Sequence, residues 1–174
     1  MSLVSNTSLL NKIYCPREVF PLASVAVAAV DTVIASVVLA GLFVLYGFLP
    51  AGASIWVPFL TFILLMFTIG VGMLVSITVV YFRDLRHALP ILLQLGLFLT
   101  PVAYGLEVVP DGLLPLYSLL NPLAPVIDGY RQAVLYGNAP AMESLLPGCL
   151  GAVSVLLLGL WLFKRFESGI ADVA

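Results

Sequence analysis

The sequence predicts an all-α integral membrane protein. It should have four transmembrane helices, an amphipathic cytoplasmic helix near its N-terminus and two short re-entrant or interfacial helices on the outer side. Three observations carry this. First, only 9% of the 174 residues are charged while 62% are hydrophobic, with a mean hydropathy of +1.16, whereas a soluble domain carries about 25% charged residues. Second, the charges leave long gaps: residues 32–82, 88–106 and 144–163 are uncharged, runs of 51, 19 and 20 residues. A membrane-crossing helix needs roughly 20 apolar residues. Third, the basic residues are distributed unevenly between the loops that these gaps define.

The elements follow in order. Ser5, Asn6 or Thr7 can cap a short helix with Leu9, Leu10, Ile13 and Tyr14 on one face, ended by Pro16. Such a helix can lie on the membrane or dock in a partner's groove, and its period does not separate the two. The 51-residue run would reach roughly 75 Å as one helix, so it must turn. The Gly47-Phe48-Leu49-Pro50-Ala51-Gly52-Ala53-Ser54 cluster supplies the turn, giving spans over about 21–48 and 55–82. The third span is expected at about 88–106 and the fourth at about 146–163, closed by Trp161 and Lys164-Arg165. Between them, residues 107–146 are mostly apolar but broken by Pro115, Pro122 and Pro125. Neither piece is long enough to cross, which predicts short re-entrant or interfacial helices.

With four spans, one side receives Lys12, Arg17, Arg83, Arg86, Lys164 and Arg165, and the other receives Arg131 alone. Short loops rich in Lys and Arg stay cytoplasmic, so both ends of the chain are expected inside, with residues 107–146 outside.

Several functions are disfavoured. A net charge of −2 gives no basic field for nucleic acid. One histidine and two cysteines, Cys15 and Cys149, supply neither a His cluster nor a Cys-rich metal site. No glycine-rich loop precedes Lys12 or Lys164, so a P-loop is absent and any ATP must be bound by another chain. No catalytic or metal-ligating set is expected.

Among single residues, Asp31 is the one charge deep in an expected span. A carboxylate there faces a bundle interior or an aqueous cavity, unless the span begins near Thr32 and leaves Asp31 at the headgroups. Gln94 is a weaker case, because a neutral amide can bond to a neighbouring helix. Gly41, Gly70 and Gly72 suit close helix packing. Arg83, Asp84 and Arg86, with His87, form a tight charged turn that reads as a cytoplasmic anchor. Asp128 and Arg131 stand three apart and can pair within one helix.

The run Leu3-Val4-Ser5-Asn6-Thr7-Ser8-Leu9-Leu10-Asn11-Lys12-Ile13-Tyr14-Cys15-Pro16-Arg17-Glu18 resembles a cytoplasmic segment of type-2 ABC exporter permeases. The branch it is most similar to exports polysaccharides and polyol phosphates such as O-antigen, capsule and teichoic acid. Tyr81-Phe82-Arg83-Asp84-Leu85, Thr100-Pro101-Val102-Ala103-Tyr104, Asn121-Pro122-Leu123-Ala124-Pro125 and Gly129-Tyr130-Arg131 match in the same order, as does Phe163-Lys164-Arg165-Phe166-Glu167.

The resemblance implies a membrane-spanning subunit of an ATP-driven exporter in a bacterial inner membrane, moving a lipid-linked polysaccharide or polyol phosphate. Two permease copies would pair with two ATP-binding subunits, which would hold ATP and magnesium. Residues 5–18 would be the coupling helix, with Leu9, Leu10, Lys12, Ile13, Tyr14, Pro16, Arg17 and Glu18 against the ATP-binding subunit. Residues 107–146 would form the outer gate, and Asp31, Gln94, Tyr104 and Arg131 would lie near the translocation path or its gate. Members of this family have six spans, with the coupling segment after the second. This chain opens on that segment, so it is expected to be the C-terminal four-span part, from a truncated gene product or a start other than Met1. Two other readings remain open at this point: a non-transporting membrane assembly or scaffold subunit, and an ion-coupled secondary carrier. The carrier would want more intramembrane acids and an inverted repeat.

Overall fold

The computed structural model describes residues 18–47, 52–82, 84–102 and 104–166, and every regular element among them is helical. Among the described residues, three helices are long and apolar enough to cross a membrane: α1 (Val19–Leu45), α2 (Val57–Tyr81), entered through a 3₁₀ turn at Gly52–Trp56, and α6 (Met142–Phe166). The expected span at 88–106 is realised differently. Its helix, α3 (Leu85–Leu99), has fifteen residues, about 22 Å at 1.5 Å per residue, short of a hydrocarbon core of about 30 Å. It stops because Thr100 precedes Pro101: proline lacks an N–H and disfavours helical backbone at the residue before it. Thr100 is accordingly extended. Two short helices follow, α4 (Leu114–Leu120) and α5 (Leu123–Tyr130), and then a π-helical turn over Arg131–Tyr136.

Seven hydroxyls on the long helices are resolved locally. Ser24, Thr32, Ser36, Thr61, Thr68, Thr78 and Ser154 each donate to the carbonyl four residues earlier. Polar side chains therefore stay paired on apolar helices that have no water beside them.

Helices α2 and α6 form the core and run parallel. Their closest approach is at Gly70 and Gly159, where a Cβ on Gly159 would stand 2.6 Å from the Gly70 carbonyl oxygen. Only two glycines allow the backbones this near. On one side of the crossing Met73, Ile77, Val80 and Phe163 pack together, with Phe20 of α1 against them. On the other side Leu60, Ile63, Val126, Leu145 and Ala152 form a second cluster. Gly41, by contrast, meets nothing within 4 Å, and Gly72 makes only ordinary contact with Val25. Of the three glycines expected to serve packing, Gly70 does so most tightly.

The two ends of the bundle are distinct. Tyr81 stacks edge-on against Phe166 and its hydroxyl donates to the Phe166 carbonyl, so Asp84 and Arg86 share an end with Lys164 and Arg165. The Arg165 guanidinium lies over Trp161 at 5.1 Å. At the opposite end, Ser54 donates to the Ala133 carbonyl, which brings the 3₁₀ turn before α2 beside the π-helical turn that begins at Arg131. Among the described residues, Arg86, Lys164 and Arg165 thus occupy a basic end and Arg131 a loop end, as the charge distribution requires.

Candidate functional site: a hairpin that holds the broken end of α3

Helices α4 and α5 make a hairpin seated on α6. Leu119 and Pro122 lie against Gly151, and Pro125 lies against Gly148, each closer than any side chain at the glycine would permit. Gly129 fits beneath Leu60, and the Tyr130 and Thr61 hydroxyls share a hydrogen bond of 2.7 Å. The hairpin tip therefore lies farthest from the loop end, and α5 climbs back from it. Its tip residue Leu123 lines the same cleft as Phe67, ten residues into α2, or about 15 Å from the start of that helix. Val126 and Tyr130 meet α2 progressively nearer the loop end.

The end of α3 beside this hairpin poses a polar problem. A helix that ends at Leu99 leaves its last carbonyls without intrahelical donors. Side chains supply the donors. The Tyr104 hydroxyl donates to the Phe98 carbonyl at 3.0 Å and is 3.4 Å from that of Leu99. The Tyr117 hydroxyl of α4 donates to the Leu99 carbonyl as well. Asn121, at the hairpin tip, donates its amide to the Thr100 hydroxyl at 3.0 Å. Arg131 completes the set, donating to the carbonyls of Val102 at 3.1 Å and Tyr104 at 3.2 Å. Asp128 stands 3.7 Å from the same guanidinium. Arg131 is thus committed to two carbonyls and a carboxylate, which makes it a clamp on the chain rather than a free cation for a ligand.

Of the four residues expected near a path or gate, the structure unites Tyr104 and Arg131 and leaves the other two apart. Asp31 is exposed in the middle of α1, and Gln94 is exposed on α3. Both extend stripes that begin inside a cleft of about 510 Å³ between α1, α2 and α3. Asp31 follows its lining residues Ser24 and Ala28 by seven and three positions, and Gln94 follows Pro90 by four, so each shares a helix face with them. Asp84 and Arg86 are exposed at the start of α3, and Glu18 directly precedes α1 and accepts from the Leu22 amide. Arg83 and residues 1–17, including Leu9, Leu10, Lys12, Ile13, Tyr14, Pro16 and Arg17, lie outside the described residues. The expected i,i+3 pairing of Asp128 with Arg131 is present.

Sequence reasoning missed Tyr117, and it gave Thr100 and Asn121 no individual role. One signal was available: a tyrosine and an asparagine within an apolar, proline-broken segment must find partners if that segment is buried. What it could not supply was the partner, 18 and 21 residues away.

Comparison with known proteins adds a second line. A family profile described as ABC-2 type transporter matches residues 4–135. An O-antigen export system permease protein RfbA of Klebsiella pneumoniae is 24% identical over 99% of this chain and 66% of its own length. The RfbA of Myxococcus xanthus is 34% identical over 86% of this chain and 57% of its own length. The polysialic acid transport protein KpsM of Escherichia coli is 28% identical over 62% of this chain and 42% of its own. The chain therefore spans about two thirds or less of the length of these relatives.

Proposed function

The chain belongs to the ABC-2 type transporter family, and from that premise we propose that it is the membrane-spanning part of an ATP-driven exporter. Its cargo is a lipid-linked polysaccharide or polyol phosphate, carried outward across a bacterial inner membrane. Two copies pair with two ATP-binding subunits, which hold ATP and magnesium, and this chain performs no covalent chemistry. The observation that carries the reading is the convergence of separate sequence blocks, 100–104, 121–125 and 129–131, on one hairpin-and-clamp assembly, in a family whose similar members are named for O-antigen and polysialic acid.

Within this reading α3 crosses as a fourth span together with the non-helical residues after it, and the α4–α5 hairpin is re-entrant from the outside. The basic end faces the cytoplasm, because Lys and Arg are retained there, and both ends of the chain lie inside. Leu9, Leu10, Lys12, Ile13, Tyr14, Pro16, Arg17 and Glu18 dock on the ATP-binding subunit, while Arg83, Asp84 and Arg86 anchor the cytoplasmic turn. Asp31 and Gln94 border the path, and Tyr104 and Arg131 hold its gate.

Deleting the gene and restoring it on a plasmid tests the proposal. Deletion should remove the surface glycan and leave its lipid-linked precursor inside the cell, and restoration should return it. Unchanged surface glycan in the deletion strain would refute the export reading.

A further inference from the structure

We infer that Thr61 of α2 is a positioning residue for Arg131. It works through a directed relay: the Tyr130 hydroxyl donates to Thr61, and the Thr61 hydroxyl donates to the Val57 carbonyl. The relay sets the rotation of α5 that presents Arg131 to the carbonyls of Val102 and Tyr104. Its consequence for transport rests on the export reading; the relay itself does not.

Proton counting gives the relay its direction. The Thr61 Oγ1 atom lies 2.8 Å from the Val57 carbonyl oxygen and 2.7 Å from the Tyr130 hydroxyl oxygen. A threonine hydroxyl carries one proton, and a carbonyl oxygen only accepts. The contact with Val57 is therefore a hydrogen bond only if Thr61 donates there. Tyr130 must then supply the proton that it shares with Thr61. The reverse assignment would set lone pairs against each other at Val57. It would also leave the phenol proton without an acceptor, since the Tyr130 hydroxyl makes no other hydrogen bond among the described residues.

The relay sits where α5 needs an outside reference. That helix has eight residues, too few to hold a helical shape alone. Arg131 opens the π-helical turn, where the α-helical bonding repeat is broken. Successive side chains on a helix point about 100° apart, so fixing the direction of Tyr130 fixes that of Arg131. Gly129 beneath Leu60, and Val126 packed with Leu60 and Ile63, hold α5 close to α2. Apolar contacts of this kind have no direction. The relay supplies direction, because it ends on the backbone of α2. Arg131 then reaches the Val102 carbonyl at 3.1 Å and the Tyr104 carbonyl at 3.2 Å.

Removing the two hydroxyls has unequal effects. Without the phenol hydroxyl, Thr61 is still bonded to Val57. Without the Thr61 hydroxyl, a half-buried phenol keeps a proton that has lost its acceptor, which costs more than removing both partners.

The test uses the full chain in lipid bilayers, read by solid-state NMR and Raman spectroscopy. Coupling between labelled arginine side-chain nitrogen and tyrosine carbonyl carbon should report the Arg131–Tyr104 contact, identified by its loss in Arg131→Gln. Thr61→Val should weaken this signal about twofold or more, and Thr61→Ser, which keeps the hydroxyl, should retain it. Thr78→Val, which removes a back-bonding hydroxyl elsewhere on α2, should leave it unchanged. Tyr130→Phe should weaken it less than Thr61→Val does. Adding Tyr130→Phe to Thr61→Val should bring the signal back to the Tyr130→Phe level. The Raman difference between the unmodified chain and Tyr130→Phe should show a donating phenol, and that signature should vanish in the Thr61→Val background. An unchanged NMR signal in Thr61→Val, a Thr61→Ser signal no better than that of Thr61→Val, or a phenol that only accepts would each overturn the relay. In cells, surface glycan should follow the same order, lowest in Thr61→Val and near normal in Thr61→Ser. Full export by Thr61→Val would refute the role in transport. Should the unmodified chain itself restore no glycan, the export reading fails, and the two spectra still judge the relay.

Discussion

Helices α1 and α2 are nearly the same object by composition and differ in almost everything else. They have 27 and 25 residues, and each is long and apolar enough to cross a membrane. Yet α2 buries seven residues among the described part of the chain and α1 buries only Pro21. The difference teaches that hydropathy reports the solvent a helix tolerates, not its place in a bundle. In lipid there is no hydrophobic gain from covering one apolar side chain with another. Packing is decided instead by where small residues let backbones meet, as Gly70 and Gly159 do. Helix α1 carries Gly41 without any neighbour to use it, and its outward valines and leucines remain surface.

That contrast can be broken by substitution. The largest effect is expected at Phe163 of α6, which is fully buried against α2. Phe163→Ala should cost about 3–5 kcal/mol by leaving a cavity, whereas Val37→Ala on exposed α1 should change stability by less than about 0.5 kcal/mol. Thermal unfolding in a fixed detergent measures both, and equal losses would erase the distinction between the helices. A smaller effect is expected from added atoms. Gly159→Ala should cost about 1–3 kcal/mol, because the new methyl meets a backbone oxygen that cannot move aside without parting the helices. Gly41→Ala, with open space around it, should gain up to about 1 kcal/mol from helix propensity. A neutral Gly159→Ala would mean that α2 and α6 are not held by their crossing.

Much of this architecture was legible in the sequence, for identifiable reasons. Charge-free runs located α1, α2 and α6, and the Gly47–Ser54 cluster located the turn between the first two. Among the described residues, Arg86, Lys164 and Arg165 also fall at the opposite end from Arg131, as the charge distribution had grouped them. The end of α3 was not legible from hydropathy, because Val102 and Leu106 continue the apolar run past the point where Pro101 ends the helix. The start of α6 was displaced for a related reason. Glu143 looks like the edge of a loop, but an acid in the first turn is favourable at a helix N-terminus, and the helix begins at Met142. The clamp was half visible. Tyr104 and Arg131 were two of four residues expected near a path or its gate, and the structure bonds these two to each other. Asp31 and Gln94 were grouped with them, yet they stand elsewhere, on faces of α1 and α3. No periodicity joins Tyr117 to Leu99 or Asn121 to Thr100. Those pairings exist only once the hairpin is folded back on the core.

The depth of that hairpin is the central claim, and it can be measured directly. Leu120, beside the tip, and Val108, in the segment before α4, are both exposed, so each can be replaced by a labelled cysteine after Cys15→Ala and Cys149→Ala. In reconstituted bilayers, a fluorophore at position 120 should be quenched more strongly by lipids with a nitroxide deep in the acyl chain than by headgroup-labelled lipids. A fluorophore at position 108 should show the reverse. If position 120 is quenched like position 108, chiefly by headgroup labels, the hairpin lies on the membrane surface and the account is contradicted.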